Sequence, residues 1–255
     1  MDTGKSIDFD RVAGYYDLHV TADFDLAFWI DQARRHPGER LELMCGTGRI
    51  SLPILRAGLP LCCADYSEGL LTVLRGKLER EKLTAPLVHA DARALPFEDR
   101  FDFIFIGFHA FAELSEREDQ LAALRSIRKA LREDGRFSLS LQNPLVRGPQ
   151  LDGAWRDLGI FPMPSGDRRL EVRGRYLYDP ATGLAEGTQT YRELASDGRC
   201  LVATELPVRF RLIAADEFEA LAGQAGLRVE ERFGGYARED FQAKTSPFFI
   251  ATLRA

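Results

Sequence analysis

A short apolar run, Leu41-Glu42-Leu43-Met44-Cys45, breaks into Gly46-Thr47-Gly48-Arg49 and then into a helix-like segment, and a second apolar run, Leu61-Cys62-Cys63-Ala64, closes on Asp65. Few folds accommodate that order. A strand that ends in glycines and turns at once into an amphipathic helix lets the backbone pass close to a ligand. An acid ending the neighbouring strand is placed to accept hydrogen bonds from ribose hydroxyls. The pattern predicts the nucleotide-binding corner of a doubly wound α/β sheet and a ligand that contains an adenosine.

The remainder of the chain extends that expectation. Apolar runs at Leu41 to Met44, Leu59 to Ala64, Leu87 to Ala90, Phe101 to Ile106 and Phe137 to Leu141 are each separated by helical periodicity. This rhythm predicts a parallel sheet with right-handed crossovers. Ser115 with Glu118 reads as a capping box for a helix whose Leu121, Leu124 and Leu131 share a face and which Gly135 stops. Ahead of the sheet, residues 8 to 35 read as one or two helices carrying Tyr15, Tyr16, Phe24, Phe28 and Trp29. After Asn143-Pro144, a Gly- and Pro-rich stretch, 145 to 169, leads into three alternating segments joined at Asp179-Pro180-Ala181-Thr182-Gly183 and Ser196-Asp197-Gly198. These predict an antiparallel meander inserted after the fifth strand, with Pro207 marking an edge or a bulge. A helix with Phe218, Leu221, Ala222 and Ala225 on one face, ending at Gly226, and two strands around Leu227 to Phe233 and Pro247 to Leu253 follow.

Composition narrows the classes. With 255 residues, 45% hydrophobic and 29% charged, the chain can bury one sizeable core. Its net charge of -5, with Lys and Arg dispersed among acids, lacks the basic stripe of a nucleic-acid binder. No apolar run reaches membrane-spanning length and the first residues lack an apolar signal core, so a cytoplasmic location is expected. Cys45, Cys62, Cys63 and Cys200 show no CxxC spacing and read as reduced and structural. His19, His36, His89 and His109 lie far apart without ligand spacing, so no metal site is expected. Gly4-Lys5-Ser6 follows no apolar strand and is not a P-loop.

Glu42-Leu43-Met44-Cys45-Gly46-Thr47-Gly48 resembles the first motif of class I S-adenosylmethionine-dependent methyltransferases, small-molecule branch. Later landmarks agree in order: Asp65 in Ala64-Asp65-Tyr66-Ser67, Asp91 in His89-Ala90-Asp91-Ala92-Arg93, and Leu95-Pro96-Phe97 ahead of Phe101-Asp102. The resemblance covers roughly residues 10 to 142 and the final strands. It implies a Rossmann-like, seven-stranded, mostly parallel sheet whose last strand is antiparallel, with the inserted meander as a substrate cover. The implied organisation is a helical lid at 1-38, a cofactor-binding domain at 39-144 with 213-255, and a β-rich cover at 145-212.

The resemblance also assigns roles. Glu42 faces the cationic methionine portion of S-adenosylmethionine. Met44, Cys45, Gly46, Thr47 and Gly48 form the close-approach loop. Asp65, with Tyr66 beside it, takes the ribose hydroxyls; Asp91 takes the adenine amino group, with the Ala92 amide nearby. Gly107 and Phe108 flank the methionine end, and Tyr16, or alternatively Tyr15, is the lid tyrosine. Met44 departs from the family, which has a glycine there.

Methyl transfer from a sulfonium asks the protein chiefly to align the nucleophile and exclude water. A general base matters when the acceptor is protonated, and His109 and Glu113, directly after the fourth strand, are the candidates. Asn143, Tyr191, Arg192 and Tyr236 are weaker ones. The expected acceptor is a small molecule offering N or O, with no nucleic acid or membrane partner; monomer and homodimer stay open. Two rivals compete: a non-catalytic cofactor-binding protein, and an NAD-dependent oxidoreductase, which lacks its third glycine here.

Overall fold

The structure is a computed structural model and describes residues 7–164 and 166–255. Gly4-Lys5-Ser6 and the start of the expected lid lie outside the described residues. A single 3-10 turn, Phe9–Val12, leads into α1 (Ala13–His19) and α2 (Leu26–Arg35). The alternating region follows as β1 (Arg40–Leu43), α3 (Ser51–Arg56), β2 (Cys62–Asp65), α4 (Glu68–Glu81), β3 (Leu87–His89), β4 (Phe101–Ile106), α5 (Arg117–Ala130) and β5 (Leu131–Gln142). After the short α6 (Pro144–Arg147) come β6 (Arg156–Pro162), β7 (Arg168–Tyr178), β8 (Leu184–Ala195) and β9 (Cys200–Arg211), then α7 (Ala215–Gln224), β10 (Arg228–Phe233) and β11 (Phe248–Arg254).

One sheet has seven strands in the order β10-β11-β5-β4-β1-β2-β3, and β11 runs antiparallel to both of its neighbours. The central strand shows why. Phe101-Asp102-Phe103-Ile104-Phe105-Ile106 is apolar on both faces because helices cover both. Phe103 and Phe105 face α2, with Trp29 stacked on Phe105 at 5.1 Å, while Ile104 and Ile106 join Leu124, Ile127 and Phe218 on the opposite side. The helix α4 is capped by Ser67, whose hydroxyl accepts from the Leu70 amide at 3.0 Å, and buries Leu70, Leu71, Leu74 and Leu78.

Two local expectations are corrected. Ser115 does not cap α5, which starts after Glu116 without a side-chain cap. Tertiary contacts take these residues instead: Arg211 donates to the Ser115 carbonyl at 2.8 Å and Arg209 pairs with Glu116 at 2.6 Å, tying the helix entrance to β9. Nor does Gly135 stop that helix. The chain turns extended at Leu131, which pairs with Phe101, and Gly135 lies inside β5.

The insert has four strands where three were expected, in the order β6-β7-β8-β9. The extra strand falls in the Gly- and Pro-rich stretch, where Gly159 sits at a register shift and Pro162 ends the strand, so its sequence carries no clean alternation. Pro207 lies in β9, an edge strand of this sheet. One face of the sheet, through Leu170, Val172, Tyr191, Leu206 and Val208, packs on Val12, Phe9, Tyr15 and Leu18. The N-terminal segment is therefore held between the two sheets. No helix among the described residues is long and apolar enough to cross a membrane.

Candidate functional site

The C-terminal ends of β1, β2 and β4 open on one cleft of about 1050 Å³ including its mouth. Its wall begins at the chain reversal after β1. Met44 has φ +60°, a left-handed conformation that costs an L-residue about 1–2 kcal/mol and that a glycine adopts freely. The unusual methionine thus sits where the backbone favours glycine, and its side chain fills the gap between the cleft and the core. Cys45 donates its amide to the Ala64 carbonyl at 3.1 Å, and the Gly46 amide donates to Asp65 Oδ2 at 2.7 Å. With Ser67 N donating to Oδ1 at 2.8 Å, Asp65 braces the loop and the start of α4, and each carboxylate oxygen keeps a lone pair for a ligand.

Thirteen of the fifteen residues singled out from sequence line the cleft: Tyr16, Glu42, Met44, Cys45, Gly46, Thr47, Asp65, Tyr66, Asp91, Ala92, Gly107, Phe108 and Glu113. Gly48 does not line it. A Cβ there meets Leu74 at 2.3 Å, so this glycine permits close packing of the loop on α4. His109 does not line it either. Its ring stacks on Phe248 at 5.0 Å, burial pushes its pKa down to about 4, and Nδ1 has no hydrogen-bond partner among the described residues.

The remaining candidates separate in the same way. Tyr15 turns toward the four-stranded sheet, where its hydroxyl donates to Glu193 at 2.6 Å, leaving Tyr16 as the tyrosine in the cleft. Asn143 caps α6 and donates to the Ala243 and Ser246 carbonyls at 2.9 and 2.8 Å. Arg192 pairs with Glu171 at 2.7 Å. Tyr191 is buried in the insert, and Tyr236 joins the aromatic cluster of Phe24, Phe28 and Phe248.

Several lining residues carried no local signal. Arg49 forms a two-pronged pair with buried Asp25, at 2.6 and 2.7 Å, and its guanidinium lies 4.2 Å over the Phe108 ring. That contact steadies Phe108 and His109, two successive residues with φ of +51° and +63°. The N-terminal segment is tied across the opening by Asp10, which accepts from Ser67 Oγ and the Gly69 amide at 2.5 and 2.8 Å. Asp17 accepts from Thr47 Oγ1 at 2.6 Å and pairs with Lys77 at 2.5 Å. Its Ile7, Phe9 and Tyr16 face inward.

The cleft is acidic. Glu42 is buried against the Ser51 hydroxyl, and burial raises its pKa well above the usual carboxylate range. Burial also raises Asp65, against the opposing pull of the Ser67 and Gly46 amides. For Asp91, burial is outweighed by the Arg93 guanidinium, 2.7 Å away, which holds the carboxyl below its usual range. Asp91 also caps a 3-10 turn by accepting from the Arg93 amide at 2.9 Å. Glu113 is pushed up to about 8, first by burial and then by Asp65, and makes no ion pair among the described residues. The Tyr16 hydroxyl is raised by burial and by Glu113. Among the described residues no group of three His, Cys, Asp or Glu could hold a metal ion.

These donor and acceptor sets fit S-adenosylmethionine: buried carboxylates for its positive charges, Asp65 lone pairs for the ribose, and a main-chain rim for the adenine. A dinucleotide fits less well. The position of a third glycine is Ser51, buried and bonded to Glu42.

Comparison with known proteins agrees. Residues 41–135 match the family model described as a methyltransferase domain. The chain is 27% identical over 232 residues to the cypemycin N-terminal methyltransferase of a Streptomyces species, covering 90% of this chain and 89% of that one. Among solved structures, the CcbJ methyltransferase of Streptomyces caelestis superimposes with a TM-score of 0.78 at 23% identity, covering 98% of each chain. The sugar N-methyltransferase KedS8 of Streptoalloteichus sp. does so with a TM-score of 0.73 at 17% identity, covering 94% of this chain and 92% of that one.

Proposed function

We propose, for a chain whose residues 41–135 form the methyltransferase domain of a class I S-adenosylmethionine-dependent enzyme, that the methyl acceptor is an amine of a small molecule and that Glu113 receives its proton. When bound, S-adenosylmethionine supplies a methyl group activated by the sulfonium charge. Glu42 and Asp65 hold the cofactor, Asp91 and Ala92 meet its adenine, and Gly107 and Phe108 border its reactive end. The N-terminal segment covers part of the cleft through Ile7, Phe9 and Tyr16, and the insert packs on that segment, which suits a small acceptor better than a duplex or a folded protein.

The observation that carries the reading is Glu113: a carboxyl in the cleft, without a cationic partner among the described residues, held protonated near neutral pH by its surroundings. An incoming ammonium favours the ionised form of Glu113, whose own proton leaves to solvent as the ammonium binds, and the carboxylate then accepts the proton that otherwise blocks the nitrogen lone pair. A hydroxyl acceptor brings no charge to drive that ionisation. Nitrogen is also the atom named for one protein of similar fold, a sugar N-methyltransferase, and a similar sequence is named for methylation at an N-terminus.

The test uses the labelled methyl donor with matched amines and alcohols, after calorimetry has compared S-adenosylhomocysteine with NADH. Transfer to amines, reduced at least about tenfold in kcat by Glu113→Gln with cofactor affinity retained, is expected. Transfer to alcohols alone, or Glu113→Gln at full activity, overturns the assignment.

A further inference from the structure

Two arginines of the described chain have their pKa lowered by burial, Arg40 and Arg147, and only one of them is satisfied. Arg40 donates to the carbonyls of Ala33, Gly38 and Pro60. Arg147 donates to Gln150 Oε1 at 2.9 Å, its buried Nε has no partner, and it makes no ion pair among the described residues. A partly buried guanidinium without a counter-charge is costly, and such a charge is retained where a ligand completes it.

Its surroundings supply a second orphan donor. The Tyr176 hydroxyl, near enough to feel the Arg147 charge, accepts from Gln189 Nε2 at 2.5 Å; Gln189 Oε1 is in turn taken by the Tyr191 hydroxyl at 2.6 Å. The hydroxyl proton of Tyr176 therefore has no acceptor among the described residues. Arg147 ends α6, directly after β5 and on the same rim as Phe108 and His109. From Tyr176 the chain Gln189, Tyr191 and His19 leads back to Tyr16, whose ring His19 meets edge-on at 5.9 Å.

We propose that Arg147 and Tyr176 form a carboxylate subsite, so that the acceptor is an amine that also carries a carboxylate, as a free amino acid does. This rests on the amine reading above. A guanidinium with an unpartnered buried Nε and a hydroxyl whose proton has no acceptor among the described residues suit a carboxylate.

The test separates the subsite from the reaction. Protein saturated with S-adenosylhomocysteine is titrated calorimetrically with benzoate, with inorganic phosphate and with benzylamine. Saturable benzoate binding is expected, weakened about 10- to 100-fold by Arg147→Gln and less by Tyr176→Phe, with homocysteine-cofactor affinity unchanged. Arg147→Lys serves if the glutamine variant fails to fold, and is expected to recover only part of the affinity because a point charge replaces a fork. No benzoate binding, or equal binding by the variants, overturns the subsite; binding of phosphate in place of benzoate overturns the carboxylate. In parallel, methyl transfer to phenylalanine is compared with phenethylamine. If neither amine, nor any other, is methylated, the amine reading fails while the benzoate titration still judges Arg147.

Discussion

Glu113→Gln is the perturbation whose size the structure sets most directly. The carboxyl ionises near pH 8 in the folded protein against a usual 4.5. Between those two values the unfolded chain has released a proton that the folded chain retains, so stability falls as pH rises through the window and levels off above about 8. At about 1.4 kcal/mol per pH unit the full window amounts to at most about 5 kcal/mol. Glu113 borders an open cleft, and water there screens the charge, so about 2–3 kcal/mol is the working figure. Glutamine has the same shape and no charge to bury. The variant is therefore expected to match the parent at pH 4.5 and to exceed it at pH 8.5 by about 4–12 °C in melting temperature, at about 2–4 °C per kcal/mol for a chain of this size. The assay is thermal unfolding from pH 4.5 to 9 for both proteins without cofactor. Calorimetric titration with S-adenosylmethionine near pH 7, in buffers of different ionisation heat, then reads the protons released to buffer as the cationic ligand binds; the variant, lacking the Glu113 proton, releases fewer. Parallel melting curves across the whole range would falsify the argument.

Two other substitutions follow from the geometry of the loop. Asp65→Asn keeps one acceptor for the Gly46 and Ser67 amides and turns a donor on the other; S-adenosylhomocysteine is expected to bind about 10- to 100-fold more weakly by calorimetry, and unchanged affinity removes Asp65 from the site. Met44→Val places a β-branched side chain at φ +60°, so a loss of about 1–2 kcal/mol in chemical denaturation is expected, whereas Met44→Gly stays within about 1 kcal/mol of the parent; equal stability of all three refutes the strain.

Much of this was legible in the sequence because it depends on neighbours in the chain. The strand and helix rhythm, the Gly46-Thr47-Gly48 loop and the aspartates that close β2 and β3 rest on local periodicity and on side-chain chemistry at the loop itself. The failures have equally local causes. Ser115 and Glu118 have the spacing of a capping box, but β9 claims the Ser115 carbonyl and the side chain of the next residue, Glu116. The bulged strand β6 has no alternation to read.

Sequence alone determined the sheet, the glycine loop and the chemistry available at the strand ends. Only tertiary structure chose Tyr16 over Tyr15, paired Arg49 with Asp25 and Thr47 with Asp17, and left Glu113 and Arg147 without counter-charges among the described residues. The physical reason is that burial and charge pairing depend on distances between groups that are remote along the chain. The Tyr15 and Glu193 pair, 178 residues apart, exists only because the insert folds back over the N-terminal segment.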